Sequence, residues 1–178
     1  MTSRDVAGAA STIVWQGRKV EMRALHAADA ERYAEFRASA FARRGASSAN
    51  DDRLPDVAEY AARIADDRNV TIAAVLADRT TPKILGVVVA TPRADEAIAD
   101  AAIALRPEVE GQGLGRLLMG MLIICCRGRG LRELRGEARV DQTRMRELAR
   151  AFRFNEAPSH APGCVSLRLA LHDTDGDA

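Results

Sequence analysis

The chain has 178 residues, 47% of them hydrophobic, which suits one core of ordinary size and argues against two independent domains. Its 26 Lys and Arg against 25 Asp and Glu leave a formal net charge of +1, which excludes a bulk drive toward nucleic acid or an anionic membrane. No apolar run approaches the roughly 20 residues that span a bilayer, and the N-terminal MTSRDVAGAAS lacks the layout of a signal peptide, so a cytoplasmic protein without membrane contact is expected. Cys125 and Cys126 are adjacent and Cys164 stands apart, with neither metal-ligand spacing nor the even count of a disulfide framework. Reduced, buried thiols and no metal are the expectation.

Taken in order, residues 1–11 and the acidic tail 172–178 are expected to fray, leaving an ordered core of about 12–171. Thr12 to Trp15, a Gln16-Gly17 turn and Val20 to Leu25 read as a hairpin. Asp29 caps or opens a helix with Tyr33, Phe36 and Ala40 on its inner face. Residues 45–52 give the longest loop signal, a candidate cleft border, before a second helix carrying Val57, Tyr60, Ala61 and Ile64. Val70 to Leu76 and Ile84 to Thr91 are β-branched runs separated by a turn at 78–82, expected as an antiparallel pair, and Ala97 to Leu105 is a third run. A long helix follows, with Leu114, Leu117, Leu118, Met121, Leu122 and Cys125 on one face. Leu134, Gly136, Ala138 and Val140 alternate as a half-exposed strand. Asp141 can cap the next helix, where Met145, Leu148, Ala149 and Phe152 line one face, and Val165 to Leu171 is the last strand. The order predicts a mixed α/β domain of α+β type around one central sheet.

Between the third β-branched run and the long helix lies Glu110-Gly111-Gln112-Gly113-Leu114-Gly115-Arg116. Three glycines at alternate positions let the backbone approach a bound group and leave N–H groups unshielded. A helix N-terminus follows at once, so free amides and the positive end of the dipole both favour an anion. A P-loop is excluded because no Lys-Ser or Lys-Thr follows the last glycine. A dinucleotide fold is disfavoured because antiparallel strands precede the turn. The bland alternative is a tight strand-to-helix turn.

From Val20 to Leu171 the arrangement resembles the GNAT acyltransferase family, whose motif of Gln or Arg, two residues, Gly, any residue and Gly or Ala is similar to Glu110 to Gly115. Leu134 to Met145 and Arg150 to Phe154 resemble the family's next strand, Asn-containing turn, helix and Gly-Phe ending. The nearest subgroup in resemblance is the acetyltransferase domain of Pat-type protein lysine acetyltransferases, similar also over Gly17 to Asp29. The resemblance implies a mostly antiparallel sheet flanked by helices, with a splayed strand pair at the cofactor. It implies acetyl-CoA as cosubstrate, its pyrophosphate on the amides of Gly111, Gln112, Gly113, Leu114, Gly115 and Arg116 beside Glu110. Pantetheine would lie along Ile103, Ala104 and Leu105, with Gln142 at the family's Asn position. The implied activity is acetyl transfer to a primary amine by direct attack in a ternary complex. A protein lysine is the first acceptor reading and a small-molecule amine the second, and a homodimer is left open.

Several residues depart from the family pattern. Glu110 puts a negative charge beside the turn, Arg153 replaces Gly before Phe154, and Ala149 stands where many members carry a Tyr that protonates the departing thiolate. Ala149 and Glu110 favour, as an alternative of another class, a non-catalytic acyl-CoA-binding regulatory module. An attacking amine must first lose its proton, since a lysine ammonium with pKa near about 10.4 has no lone pair. Asp100 is the one ionisable group between Ala97 and Leu105, and it matches the strand carboxylate that is the base, as Glu, in Pat-type enzymes. Its alternative is a solvent-facing position, with Asp95 and Glu96 as fallback carboxylates. His26, His160 and His172 read as surface residues. Arg127, Arg129, Arg132 and Arg135 read as a solvated helix end without the aromatic interleaving that nucleic acid needs.

Overall fold

Gln16 (φ 51°) and Gly17 (φ 74°) both take left-handed backbone, the requirement of the two-residue turn that matches strand twist. They join β1 (Ser11–Trp15) to β2 (Arg18–Ala24). Ser11 pairs with Met22 and so belongs to the strand, although the sequence assigns it to a frayed end. The computed structural model describes residues 10–42, 54, 56–57, 59–60, 62, 66–77, 81–94 and 97–172. The loop at 45–52, Ala61 and Ile64 of the expected second helix, and residues 78–80, 95 and 96 lie outside them. Tyr60 of that helix is buried as expected, whereas Val57 is exposed.

Asp29 precedes α1 (Ala30–Phe41) but does not cap it with its side chain. Its carboxylate, 2% exposed, accepts two hydrogen bonds from the Arg23 guanidinium (2.7 and 2.9 Å), one from Arg32 (3.0 Å) and one from the His26 N–H (3.0 Å). A buried carboxylate must be paired, and here the pairing ties β2 to the start of α1. Tyr33, Phe36 and Ala40 face inward as their spacing predicts, and Tyr33 packs on Tyr60 at 4.6 Å between ring centroids.

The remaining strands are β3 (Val70–Leu76), β4 (Lys83–Pro92), β5 (Ile98–Leu105), β6 (Glu133–Arg139), β7 (Asn155–Pro158) and β8 (Cys164–Ala170). They form one eight-stranded sheet in the order β1-β2-β3-β4-β5-β6-β8-β7, antiparallel everywhere except between β5 and β6. That parallel pair is joined through α2 (Leu114–Gly128), as parallel neighbours require a crossover. The sequence missed β7 because its four residues, Asn-Glu-Ala-Pro, are all exposed and carry no alternation; Pro158 ends an edge strand, where proline is tolerated.

Alternation divides the core between the two faces of the sheet. One face holds Val88, Ala101, Ile103, Leu134, Ala138, Leu167 and Leu169 under α2 and α3 (Thr143–Ala151); the other holds Val87, Val89, Ala102 and Ala104 under α1. α2 buries Leu114, Leu118, Leu122, Cys125 and Cys126 together with Gly115, Met119 and Ile123, while Leu117 is 43% exposed. The buried face is therefore centred one residue further on than the sequence spacing suggests. Val140 lies past the end of β6 and is exposed. Asp141 does not cap α3, because its carboxylate is paired with Arg139 at 3.0 Å.

α2 and α3 end in the same way. Leu131 N–H donates to Cys126 C=O and Gly130 N–H to Arg127 C=O, while Phe154 N–H donates to Ala149 C=O and Arg153 N–H to Arg150 C=O. This closure needs one left-handed residue after the helix. In α2 it is Gly130 (φ 77°); in α3 it is Arg153 (φ 62°), the position where the family pattern has glycine. Left-handed backbone costs a residue with a Cβ about 1–2 kcal/mol, partly offset by the smaller entropy it loses on folding. Arg153→Gly is expected to stabilise the protein by about 0.5–1 kcal/mol, read as a melting temperature about 1–4 °C higher; an unchanged or lower value would refute the strain.

The Arg23 hydrogen bonds hold the Asp29 carboxyl down from 3.8 to about 2. A folded value below the unfolded one means that its stabilisation is complete above about pH 4 and is lost as pH falls from 4 toward 2. Asp29→Asn should cost about 2 kcal/mol at pH 7 in chemical denaturation and flatten the acid limb of the stability curve over that interval.

Candidate active site

The ladder between β5 and β6 consists of three pairs, Ile98 with Glu133, Ala99 with Leu134 and Asp100 with Arg135. β5 then runs on to Leu105 and β6 to Arg139 without pairing to each other. On its other side β5 stays paired with β4 to Leu105, and the bonds from Arg106 N–H to Leu85 C=O and from Arg93 N–H to Ile98 C=O fix the phase of that ladder. Counting in twos along an antiparallel pair, Asp100, Ala102 and Ala104 turn their backbone groups to β4, and Ile103 and Leu105 turn theirs the other way. Of the three residues expected as an open edge, Ile103 and Leu105 therefore present N–H and C=O groups past the end of the β6 ladder. Ala104 spends its own on Val87.

The open edge leads through a 3₁₀ turn, Pro107–Val109, into the glycine turn. Arg106, 3% exposed, fixes the junction: its Nε donates to Ile84 C=O at 2.7 Å and its guanidinium meets Glu35 of α1 at 3.0 Å. Gly111 (φ 74°) and Gly113 (φ 88°) are both left-handed, and Gly113 is the N-cap of α2. Among the described residues, the N–H groups of Gly111, Gln112, Gly113, Leu114 and Gly115 donate to no backbone carbonyl, whereas Arg116 N–H already bonds Gly113 C=O at 3.1 Å. Five N–H groups without a backbone acceptor at a helix N-terminus make a cradle of the kind that suits an anion. Gly115 is needed for a different reason, since a Cβ there would stand 3.3 Å from Leu105 Cδ1.

Three residues that no local sequence signal marks hold this turn. The Trp15 indole donates to Gln112 C=O at 3.1 Å across 97 residues of chain. Lys83 pairs with Glu108 at 3.1 Å, and Gln112 Nε2 bonds the Glu108 carbonyl at 2.7 Å, so the Gln112 side chain braces the turn from within. Arg144, in the first turn of α3, reaches Glu110 at 3.4 Å, and its guanidinium carbon lies 3.7 Å from where a side chain on Gly111 would begin. The acidic departure at Glu110 is thus opposed by a cation, and Arg144 joins the exposed Arg116 beside the cradle.

Asp100 is half-buried, 32% exposed, and pairs with Arg93 at 3.7 Å. By alternation its side chain shares the α1 face with Ala102 and Ala104, opposite the face that carries α2 and α3. Gln142 is the N-cap residue of α3, and its Oε1 accepts the Arg139 N–H at 3.1 Å, closing the turn after β6. Ala149 is 3% exposed and packs into the core. The three histidines are exposed. Cys125 and Cys126 are buried, and burial pushes the Cys126 thiol up to about 12, which removes it as a nucleophile at neutral pH. Arg127 and Arg129 do not form a solvated end: Arg127 bonds Leu171 C=O, and Arg129 gathers the carbonyls of Asp67, Arg68 and Asn69. Arg135 lies on β6, paired with Glu133. No helix of the described residues is long and apolar enough to cross a membrane.

The Acetyltransferase (GNAT) family model matches residues 22–154. In fold, the chain is similar to the GNAT domain of S. lividans PAT, at 19% identity and a TM-score of 0.68 over 90% of this chain and 96% of that one. It is similar to a GNAT superfamily phosphinothricin acetyltransferase from Sinorhizobium meliloti in complex with AcCoA, at 20% identity and 0.67, covering 85% and 88%. The ribosomal-protein-S18-alanine N-acetyltransferase from Escherichia coli matches at 20% identity and 0.63, covering 85% and 94%.

The opposed charges at the cradle make a direct test of its anion chemistry with inorganic pyrophosphate as probe. Arg144→Gln is expected to weaken pyrophosphate binding about tenfold and Glu110→Gln to strengthen it by a similar factor, since one charge-assisted hydrogen bond is worth roughly 1.5–3 kcal/mol. Titration calorimetry reads both; affinities that do not respond to either change would place the anion elsewhere.

Proposed function

The chain belongs to the GNAT acetyltransferase family, and from that premise we propose that it moves the acetyl group of acetyl-CoA to a primary amine, with a protein lysine as acceptor. The observation that carries this reading is the continuity of the open β5 edge with the amide cradle: one extended track of backbone donors and acceptors ending in an anion site. That combination fits an elongated cosubstrate with a pyrophosphate at one end. The amides of Gly111 to Gly115, with Arg116 and Arg144, would hold the pyrophosphate, and the backbone of Ile103 and Leu105 would pair with the pantetheine amides. Bound acetyl-CoA supplies a thioester whose acyl carbon is open to attack by an amine.

The chain's own residues account for the rest. The Leu105 N–H faces the open edge, where it can polarise a carbonyl oxygen without reorganising. Asp100 lies on the opposite face of the sheet from α2 and α3, in the last β5–β6 pair, so an acceptor entering from that face meets a carboxylate able to take its proton. Arg93 orients that carboxylate. Ala149 offers no proton to the leaving sulfur, so a water or another group must provide it.

The lysine reading draws on the resemblance to Pat-type domains. The fold likeness to a phosphinothricin acetyltransferase supports a small-molecule amine as the second reading. Buried Ala149 and the engaged Asp100 favour a non-catalytic acyl-CoA-binding module as the alternative of another class. Calorimetric titration with acetyl-CoA, alongside thiol release on lysine peptides and small amines, separates the three. Binding with turnover on peptides is expected; binding without turnover on any acceptor would favour the module, and absence of binding would sink all three. Asp100→Asn is expected to lower turnover at saturating acetyl-CoA by a factor of about 10²–10⁴ while leaving acetyl-CoA affinity in place; undiminished turnover would remove Asp100 as the base.

A further inference from the structure

Asp100 is one member of a row that crosses five strands. Thr91 of β4 is paired with Asp100 of β5, Asp100 with Arg135 of β6, Arg135 with Arg168 of β8, and Arg168 with Asn155 of β7. All five side chains share a face, because Val87 and Val89 of β4 lie on the α1 side with Thr91, while Leu134 and Ala138 of β6 and Leu167 and Leu169 of β8 lie on the opposite side from Arg135 and Arg168. Neighbouring strands are about 4.8 Å apart, so Arg135 stands about 5 Å and Arg168 about 10 Å from Asp100, measured between backbones.

Two of the three charged groups in the row have ion-pair partners. Asp100 is matched by Arg93, and Arg135 by Glu133. The Arg168 side chain is exposed and, among the described residues, has no hydrogen bond or ion pair. It stands directly across from Arg135, with Glu133 and Glu137 at the diagonal positions on the same face. An exposed guanidinium without an ion pair, two strands from the proposed base and on the face from which the acceptor would enter, is open to a ligand.

We infer that the acceptor is an amine bearing a neighbouring carboxylate, with the amine at Asp100 and the carboxylate at Arg168, supported by Arg135. This deepens the acetyl-transfer reading and rests on it. A bidentate guanidinium–carboxylate pair suits the assignment better than a point charge would. The carboxylate can come from an acidic residue beside a protein lysine or from the free carboxylate of an amino acid, and the two sources can be told apart.

The test compares two matched pairs of acceptors on the full chain: a lysine hexapeptide with Glu or with Gln beside the lysine, and Nα-acetyl-lysine or its carboxamide. In at least one pair the acidic member is expected to have a kcat/KM about tenfold higher. The pair that shows the preference identifies the source. Arg168→Glu should abolish or invert the preference with acetyl-CoA affinity retained. The same four compounds, fluorescently labelled, are also measured in equilibrium binding. If the wild-type protein turns over none of them, a binding preference for the acidic member that Arg168→Glu removes would uphold the inference while the acetyl-transfer reading fails. No preference for the acidic member in either pair, or one that survives Arg168→Glu, would overturn the inference.

Discussion

The termination of the β5–β6 ladder after Asp100 and Arg135 is the constraint on which the rest of the molecule depends. A strand edge without a partner is normally a liability, and here it lies inside the sheet rather than at its rim. It persists because each strand is held from its other side. β5 follows β4 to Leu105, and β6 follows β8 over its whole length. Packing at the far end of β5 is tight enough to fix it there. A side chain on Gly86 would collide with Leu105, and Gly115 brings the start of α2 against Ile103 and Leu105. The glycines of the turn therefore serve two purposes, Gly111 and Gly113 for backbone conformation and Gly115 for close approach.

The two faces of the sheet divide the chemistry. Cradle, α2 and α3 occupy one face, and the row through Asp100 the other, so a thioester lying between the unpaired ends of β5 and β6 would be reached by its two partners from opposite sides. Electrostatics follow the same division. On the first face Arg144 offsets Glu110 beside a cluster of amide donors. On the second, Arg93 and Glu133 match Asp100 and Arg135, and the Arg168 side chain has no ion pair among the described residues.

The departures from the family pattern each acquire a physical meaning in the fold. Arg153 keeps a helix closure that Gly130 performs without strain one helix earlier. Gln142 keeps an amide at the turn after β6 and uses its oxygen locally, on the Arg139 N–H. Ala149 fills a buried site on the inner face of α3, where its loss of a hydroxyl is a chemical change rather than a packing fault.

Most elements were legible in the sequence because their signals are local. The Gln16-Gly17 turn, the inner face of α1, the β-branched runs of β3 and β4, and a glycine turn opening a helix all report on residues a few positions apart. β7 was not legible, since an exposed edge strand needs neither alternation nor apolar side chains and owes its form to β8 alone. Asp29 looked like a helix cap, but its strongest partner is Arg23, on the preceding strand. By itself, then, the sequence determined the order of the described elements other than β7, a glycine turn opening a helix at residues 110–116 and the presence of one carboxylate on β5. Only the tertiary structure decided where the β5–β6 ladder stops, which backbone groups it leaves open, that Arg144 faces Glu110 and that Asp100, Arg135 and Arg168 stand in one row. Each of these is a relation between segments far apart in the chain, set by strand register and helix packing, and neither composition nor spacing encodes register across a sheet.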